Sequence, residues 1–329
     1  MEKEQAETWI RKRTFVIYTA LFFLISGIVF SGFISTSTSF IWNNDGIKQH
    51  YLLFHDYLER LRGMFSGNGF SLWDWSIGMG ADVLYSYGYY VVGDPFVYIG
   101  LLFPVEWTEF AYHLVVLLRL YAIGLSFLFY VRRMKLSHQA GLLSVMMYTF
   151  THYSMMNVIR HPFFLLPMIW YPLLCIGIEK IFHKESPLLF VLAVALSALS
   201  NFYFFYKLTL LIFFYASVRY LYLFHQKTWV HFWQVFFQSV RAYIIGIMLA
   251  GALFVPMVAS FLGSTRGGGE TYLNPFVYPL EYYPTLIKNV FLPGSYLWAV
   301  GGFSVFILFS LPCLLFGDAK ESYPLLHPY

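Results

Sequence analysis

Long apolar runs alternate with shorter polar segments along the chain, and eight of the runs are candidates for membrane-spanning helices. A spanning helix needs about 20 mostly apolar residues. The runs are continuous rather than alternating with period two, so they predict helices and not the strands of a barrel. They lie at roughly 14–34, 111–131, 139–157, 163–182, 187–203, 205–224, 241–262 and 297–316. The pattern predicts an all-α polytopic membrane protein.

The stretch 187–224 could form one overlong helix or two short helices that turn near Asn201. Two helices place the basic segments around residues 132–135, 180–184 and 219–241 on one side, as the positive-inside rule expects of the cytoplasm. The first run follows a basic segment and is longer than the apolar part of a signal peptide, so we expect an uncleaved anchor. Both termini are predicted to be cytoplasmic and loop 35–110 extracellular, in a multi-pass protein of the plasma membrane.

Composition agrees with this class. The chain is 59% hydrophobic and 12% charged, whereas soluble domains have about a quarter charged residues. No run of five or six basic residues indicates nucleic acid as a partner, so the expected partner is membrane lipid. The segment 229–240 is rich in tryptophan and phenylalanine and predicts a separate helix lying along the inner interface.

Loop 35–110 concentrates polar chemistry between the first two predicted spans. It holds eight of the 17 acidic residues of the chain, together with four tryptophans and the sequence YSYGYY at 85–90. Carboxylates accept hydrogen bonds from sugar hydroxyls, and aromatic faces stack on sugar rings. The loop therefore predicts a site for a polar ligand delivered from the membrane, such as a sugar on a lipid carrier.

Asp45 precedes a predicted interfacial helix and has two interpretations. Aspartate is a good N-cap, and spacing alone favours that role. The other interpretation is a catalytic carboxylate, because the residue lies about ten positions beyond the first span and close to the membrane surface. The helix is predicted from an apolar stripe with steps of three and four, formed by Ile47, Tyr51, Phe54, Leu58, Leu61 and Phe65.

Further candidates for substrate binding lie in the same loop. Asp82 follows two glycines, and Asp94 lies in a Gly-Asp-Pro turn; each alone is typical of a turn or cap residue. Their convergence beside Trp73 and Tyr89 would give a sugar site. His50 lies on the first-loop helix and is predicted to pack or bind substrate rather than to ligate metal.

Basic residues near the outer surface could bind the phosphate of a lipid carrier. Arg119 lies inside a predicted span, where charges normally face the bundle interior and indicate function. Its other interpretation is a structural pair with a carboxylate of the loop. Arg160 and His161 lie in the next outer loop, and Lys207 lies just below the turn at Asn201. Arginine suits this role because its fork binds two phosphate oxygens.

Several ordered motifs resemble the YfhO family of bacterial membrane proteins. They are DGIKQHY at 45–51, WDWSIGMGAD at 73–82, GDP at 93–95, IRHPFFLLPMIWYPLLCIGIEK at 159–180 and LSALSNFYFFYK at 196–207. The resemblance covers roughly residues 14–316. It implies a GT-C-like transmembrane domain over 1–316. It also implies a short tail over 317–329, truncated relative to the longer family members.

The resemblance implies a glycosyltransferase that takes a sugar from undecaprenyl phosphate and attaches it to an extracellular wall polymer such as lipoteichoic acid. Asp45 matches the first-loop aspartate that GT-C enzymes use as a base or as a ligand of a divalent cation, Mg²⁺ or Mn²⁺. Implied partners are the sugar donor, the polymer acceptor, a polyprenyl-phosphate glycosyltransferase and a flippase. The alternative is a non-catalytic transporter or assembly partner for polyprenyl lipids, which would need the basic residues but no base.

Overall fold

Helices make up nearly all of the secondary structure in the computed structural model, which describes residues 2–67, 69–263 and 284, with side chains from residue 13 onward. The α-helices are α1 (Glu2–Val29), α2 (Ser31–Ser35), α3 (Tyr51–Phe65), α4 (Val83–Tyr87), α5 (Thr108–Arg133), α6 (His138–Thr149), α7 (His152–Arg160), α8 (Leu166–Phe182), α9 (Leu188–Ser200), α10 (Phe202–Phe224) and α11 (Trp229–Leu262). Two π-helices, three 3₁₀-helices and the short antiparallel strands β1 (Trp73–Asp74) and β2 (Ala81–Asp82) complete the described elements.

Four helical stretches are long and apolar enough to cross a membrane. They are Val105–Arg133, Pro162–Phe182, Phe202–Phe224 and Trp229–Leu262. The apolar helices Arg13–Val29 and Leu188–Ser200 are shorter. The helical, membrane-embedded character is therefore confirmed, while the count of eight spans stays a prediction. The predicted span 297–316 and the tail 317–329 lie outside the described residues.

The predicted single helix at 139–157 is wrong, because two shorter helices occupy this stretch. Helix α6 ends at Thr149, and α7 begins at His152. Thr151 has extended backbone, and its Oγ1 accepts a hydrogen bond from the backbone N–H of Ser154 at 3.2 Å. A threonine in this position caps a new helix and ends the continuity of the preceding one.

The predicted interfacial helix at 229–240 is also wrong as a separate element. Helix α11 runs without interruption for 34 residues from Trp229 to Leu262. Its first turn is capped by Thr228, whose Oγ1 accepts from the N–H of His231. No glycine or proline separates residues 229–240 from the apolar segment that follows, so nothing in the local sequence ends the helix there.

The stretch 187–224 forms two helices, as charge placement predicted. Asn201 separates α9 from α10 with an extended backbone, and its Oδ1 accepts from the N–H groups of Tyr203 and Phe204, both at 3.1 Å. This double cap starts α10 while α9 ends at Ser200. The side of the membrane on which the turn lies stays a prediction.

Helix α8 is the centre of the bundle and packs against α5, α9 and α10. Its buried carboxylate, Glu179, accepts hydrogen bonds from Arg219 Nε at 2.6 Å and from the Tyr215 hydroxyl at 2.7 Å, both on α10. The pairing satisfies a charge that would be costly to leave alone inside the bundle. By contrast, most of the apolar surface of α10 and α11 is exposed, as expected of helices that face lipid.

Candidate functional site

Two π-helical segments of the first loop lie against each other. They are Gly46–His50 and Gly88–Val92. Gln49 Nε2 in the first donates to the hydroxyl of Tyr90 in the second at 2.8 Å. π-Helical turns are rare and occur frequently at functional sites, because the extra residue displaces side chains from the regular helical faces. Their contact brings together two parts of the loop that are about forty residues apart in sequence.

Phe163 is the centre of the aromatic group that the two π-helices cover. Its ring centroid lies 5.0 Å from those of His50 and Tyr90, 5.7 Å from Tyr89 and 6.1 Å from His161. We call these five residues the Phe163 cluster. Edge-on ring contacts at such distances are favourable and fix ring orientation. Three of the predicted substrate-binding residues, His50, Tyr89 and His161, therefore lie in one place.

Asp45 lies at the edge of the Phe163 cluster. It is half-buried immediately before the first π-helix, and its negative charge acts on the imidazoles of both His50 and His161. The expectation that it caps the helix is wrong. Its backbone is already helical, with φ −63° and ψ −25°, and its side chain makes no capping hydrogen bond. An N-cap needs extended backbone for its side chain to reach the N–H groups of the next turn.

Both histidines beside Asp45 are neutral near pH 7. Burial, followed by the proximity of His161, lowers the pKa of His50 to about 4. Burial also lowers the pKa of His161 and outweighs the opposite effect of the Asp45 charge. A neutral imidazole can donate one hydrogen bond and accept another. The site thus presents one carboxylate next to two neutral groups that can hold hydroxyls.

Arg160 and Trp42 form the rim on the side of α7. The guanidinium carbon of Arg160 lies 5.6 Å from the centroid of the Trp42 ring, and that ring lies 5.7 Å from His161. Stacking on Trp42 fixes the face of the guanidinium, while its N–H donors point outward in the plane of the group. The Arg160 side chain is exposed, so a ligand that enters from the loop side can reach it.

Lys207 lies at the other end of the same aromatic surface. Its Nζ is 4.2 Å from the ring centroid of Tyr203 and 5.6 Å from that of Phe204. Phe204 in turn lies 4.7 Å from Phe164, the residue next to Phe163. The ammonium group is therefore drawn along α10 toward the Phe163 cluster by cation–π contacts.

Arg119 pairs with Asp94 within the protein. Arg119 donates to Asp94 Oδ2, and both side chains are almost fully buried. The other oxygen of Asp94 accepts from the N–H of Phe96 at 2.9 Å. The structure thus contains the carboxylate pair that was one of the two interpretations of Arg119. Its charge still acts on His50, so the pair lies close to the Phe163 cluster.

Trp73 and Asp82 are held on a different element. They are paired residues in the ribbon formed by β1 and β2. Asp82 caps α4 by accepting from the N–H of Tyr85 at 2.7 Å, and neighbouring Asp74 pairs with Arg60 of α3. Their role in substrate binding stays a prediction, and the contacts that fix the ribbon run to α3 and α4.

The turn at Asn201 locks the second π-helix to the bundle. Asn201 Nδ2 donates to the carbonyl of Tyr89 at 2.9 Å. Gly93 lies so close to the end of α9 that a Cβ there would be 1.7 Å from the carbonyl oxygen of Leu199. The sequence identified Asn201 only as a turn and included Tyr90 only as part of the tyrosine cluster at 85–90, while Phe163 and this contact were missed. The aromatic run HPFF was the one available signal for Phe163.

The divalent cation that the resemblance allows at Asp45 stays a prediction, because the described residues around Asp45 do not by themselves supply a set of ligands. Within the described ranges, no group of three or more His, Cys, Asp or Glu side chains could hold a metal ion. Mg²⁺ and Mn²⁺ prefer several oxygen ligands, and Asp45 has two imidazoles for neighbours instead.

Comparison with known proteins identifies a family. The sequence matches the family described as "Bacterial membrane protein YfhO" over residues 17–316. A Bacillus subtilis (strain 168) protein with the name "Uncharacterized protein YfhO" is 35% identical over 107 residues, which are 32% of this chain and 12% of that protein. The chain thus matches only a small part of the length of this relative. No solved structure matches the chain.

Proposed function

We propose that this chain, which belongs to the YfhO family of bacterial membrane proteins, is a membrane glycosyltransferase of GT-C type. It transfers a sugar from undecaprenyl phosphate to an extracellular wall polymer such as lipoteichoic acid. The observation that supports the proposal best is the half-buried Asp45 carboxylate, which makes no capping bond and lies beside two neutral histidines. A carboxylate without a structural task is available to take up a proton.

Asp45 acts as the general base. It removes the proton from an acceptor hydroxyl as the hydroxyl oxygen forms a bond to the anomeric carbon of the donor sugar. The bond from that carbon to the phosphate oxygen breaks, and its electron pair leaves with the polyprenyl phosphate. Proton transfer by a positioned side chain typically contributes a factor of about 10² to 10⁴ in rate.

The leaving phosphate is stabilised by the cations at the two ends of the aromatic surface. Arg160 offers a guanidinium held over Trp42, and Lys207 offers an ammonium held over Tyr203. Positive groups placed where negative charge develops lower the barrier most when they are fixed in advance. The charge of Arg119 is already neutralised by Asp94, so the role of Arg119 is to contribute to the electrostatic potential below the site.

The Phe163 cluster holds the sugar. Tyr89 and Tyr90 present ring faces and hydroxyls, and the neutral imidazoles of His50 and His161 exchange hydrogen bonds with sugar hydroxyls. A polyprenyl-phosphate glycosyltransferase and a flippase supply the donor, because the sugar must be loaded on the carrier and brought to the outer surface before transfer.

The test is an analysis of wall-polymer sugars in cells that carry the full-length gene, its deletion or an Asp45→Asn variant. We expect the deletion and the asparagine variant to lack the same sugar. The matched control is Glu59→Gln, which removes an exposed carboxylate on α3 of the same loop and leaves the Phe163 cluster intact. Unchanged polymer in the deletion strain would refute the proposal.

A lipid transporter is the second candidate, and one cavity supports it. A pocket of about 290 Å³ opens between α8, α10 and α11, with a nearly apolar lining that includes Phe182, Ile212 and Phe236. Such a pocket suits a hydrocarbon chain. A transporter needs no base, so it would tolerate Asp45→Asn and would show its defect in carrier distribution instead of polymer sugar.

A further inference from the structure

The ribbon of β1 and β2 exposes an apolar tip. Residues 75–80 connect the two strands, and we call them the ribbon tip. Trp75 is 76% exposed and Met79 is 96% exposed, while Leu72 and Trp73 at the base are about half exposed. Gly80, with φ of +105°, lies beneath both tryptophan rings, where a Cβ would be within 3.0 Å of them. The absence of a side chain at Gly80 therefore leaves room for the two tryptophan rings in their exposed positions.

The ribbon tip is poorly suited to a carbohydrate. It contains no charged residue. The carboxylates on either side of it are already engaged, since Asp74 accepts from the N–H of Ser76 at 2.7 Å and pairs with Arg60, and Asp82 caps α4. Sugar sites combine an aromatic face with polar groups that bind the hydroxyls, and methionine at the most exposed position provides neither.

The ribbon is joined through α4 to the end of a spanning helix. Helix α4 follows β2 directly and packs against α11. A Cβ at Gly88, just after α4, would be 2.2 Å from the sulfur of Met257, which is five residues from the end of α11 at Leu262. Five residues of helix are about 8 Å, so α4, which follows the ribbon directly, ends beside the last two turns of the spanning helix. The end of a spanning helix lies at the bilayer interface.

We propose that the ribbon tip inserts into the leaflet on the side of the first loop and anchors that loop to the membrane surface. Tryptophan is enriched at membrane interfaces, because its ring sits in the headgroup layer while its N–H stays hydrated. Leu72, Trp75 and Met79 of the ribbon are exposed, and so are the apolar side chains of Val255 and Leu262 in the last turns of α11, the helix against which α4 packs. Insertion covers apolar area that would otherwise face water.

The experiment measures the depth of the ribbon tip in the full chain. A Met79→Cys variant, in a background with Cys175→Ala and Cys313→Ala, is labelled with the environment-sensitive fluorophore NBD and placed in phosphatidylcholine nanodiscs. Nitroxide-labelled lipids then quench the fluorophore according to its depth. Ser71→Cys, at the exposed base of the same ribbon, is the matched control. Because both residues are exposed, neither substitution removes a core contact.

We expect the NBD group at position 79 to emit at shorter wavelength and to be quenched more strongly than the group at position 71. Equal quenching at the two positions, or emission at position 79 typical of water, would overturn the proposal. Soluble wall-polymer fragments are added in a second titration. A spectral change at position 79 with the fragments, without quenching by lipid, would assign the ribbon tip to the acceptor polymer instead. None of these readouts depends on sugar transfer.

Discussion

Arg119 on α5 donates a hydrogen bond to the carboxylate of Asp94, a residue of the first loop, and both side chains are almost fully buried. The contact ties the loop to a spanning helix close to the Phe163 cluster. Within the described part of the chain, Arg119 Nε is buried and has no hydrogen-bond partner. The guanidinium therefore keeps one unused donor, in addition to the one that holds Asp94.

Breaking this pair should destabilise the protein and allow its structural role to be separated from a role in phosphate binding. Arg119→Leu leaves the Asp94 charge buried alone, for which we expect a loss of about 3–5 kcal/mol. The double variant Arg119→Leu, Asp94→Asn removes both charges, keeps an acceptor for the Phe96 N–H, and should regain most of the stability. Thermal unfolding in detergent measures both effects.

The activity of the stable double variant decides the role of Arg119. If Arg119 acts on the phosphate, that variant is stable but transfers no sugar, and Arg119→Lys keeps part of the activity because charge remains while the fork is lost. A double variant with normal transfer would show that Arg119 serves only to pair with Asp94.

Asp45 should be needed for transfer and dispensable for folding. Its side chain makes no capping bond. The free energies of unfolding of Asp45→Asn and Asp45→Ala should therefore lie within about 0.5 kcal/mol of the native value, as is usual for substitutions that remove no specific contact. Neither variant can accept the proton from the acceptor hydroxyl, so neither should transfer sugar. Normal transfer by the asparagine variant would remove Asp45 from the mechanism.

The first loop should lose stability in mild acid because of His50. Its pKa is about 4 in the folded protein and about 6.5 in an unfolded chain. The stabilisation that comes from neutral, buried His50 is fully present above pH 6.5. It is lost as the pH falls from 6.5 to 4, because the unfolded state binds the proton first. The total loss in the free energy of unfolding is about 3 kcal/mol.

Replacement of His50 should weaken this pH dependence. His50→Phe keeps the ring against Phe163 but cannot titrate, so its melting temperature should fall less between pH 7 and 4.5. Part of the fall should remain because the pKa of His161 is also lowered. The control is His55→Phe on α3, which leaves His50 and the rest of the Phe163 cluster unchanged and should therefore keep the fall that His50 causes. If the melting temperature of His50→Phe fell with pH as much as that of the native protein, the conclusion that burial lowers the pKa of His50 would be contradicted.

The predicted orientation can be tested by labelling. A cysteine at Ser71, which is exposed in the first loop, should react with a membrane-impermeant thiol reagent added to intact cells. A cysteine at Ser137, between α5 and α6, should react only after the cells are opened. The reverse result would place the Phe163 cluster on the cytoplasmic side, where an extracellular polymer could not reach it.

The sequence predicted best where one local signal was strong. Apolar length identified the helices, and the placement of basic residues correctly favoured two helices over 187–224, which the capping amide of Asn201 separates in the structure. The prediction failed at 139–157, where hydropathy alone did not register the cap at Thr151. The position of Asp45 before the predicted helix also favoured a cap, because the sequence does not show the π-helical turn that begins after that residue.

The site could be predicted only in part, because its contacts join distant segments. Residue type indicated that His50, Tyr89, Arg160, His161 and Lys207 were suited to a phosphosugar. The ring of Phe163 brings three of them together. In the sequence, however, nothing distinguishes Phe163 from the other apolar residues of the predicted span. Composition likewise could not show that Asp94 and Arg119 neutralise each other, since that pairing depends on how the loop meets α5.

The close approach of Gly93 to Leu199 sets an order for biosynthesis. The first loop emerges early, yet the surface against which Gly93 rests is made only about a hundred residues later. At roughly 5–20 residues per second, translation takes about 5–20 s to cover that distance. During that interval the loop lacks the surface against which Gly93 packs. On the side where the loop is predicted to emerge, chaperones would therefore meet it before the last described helices have been inserted.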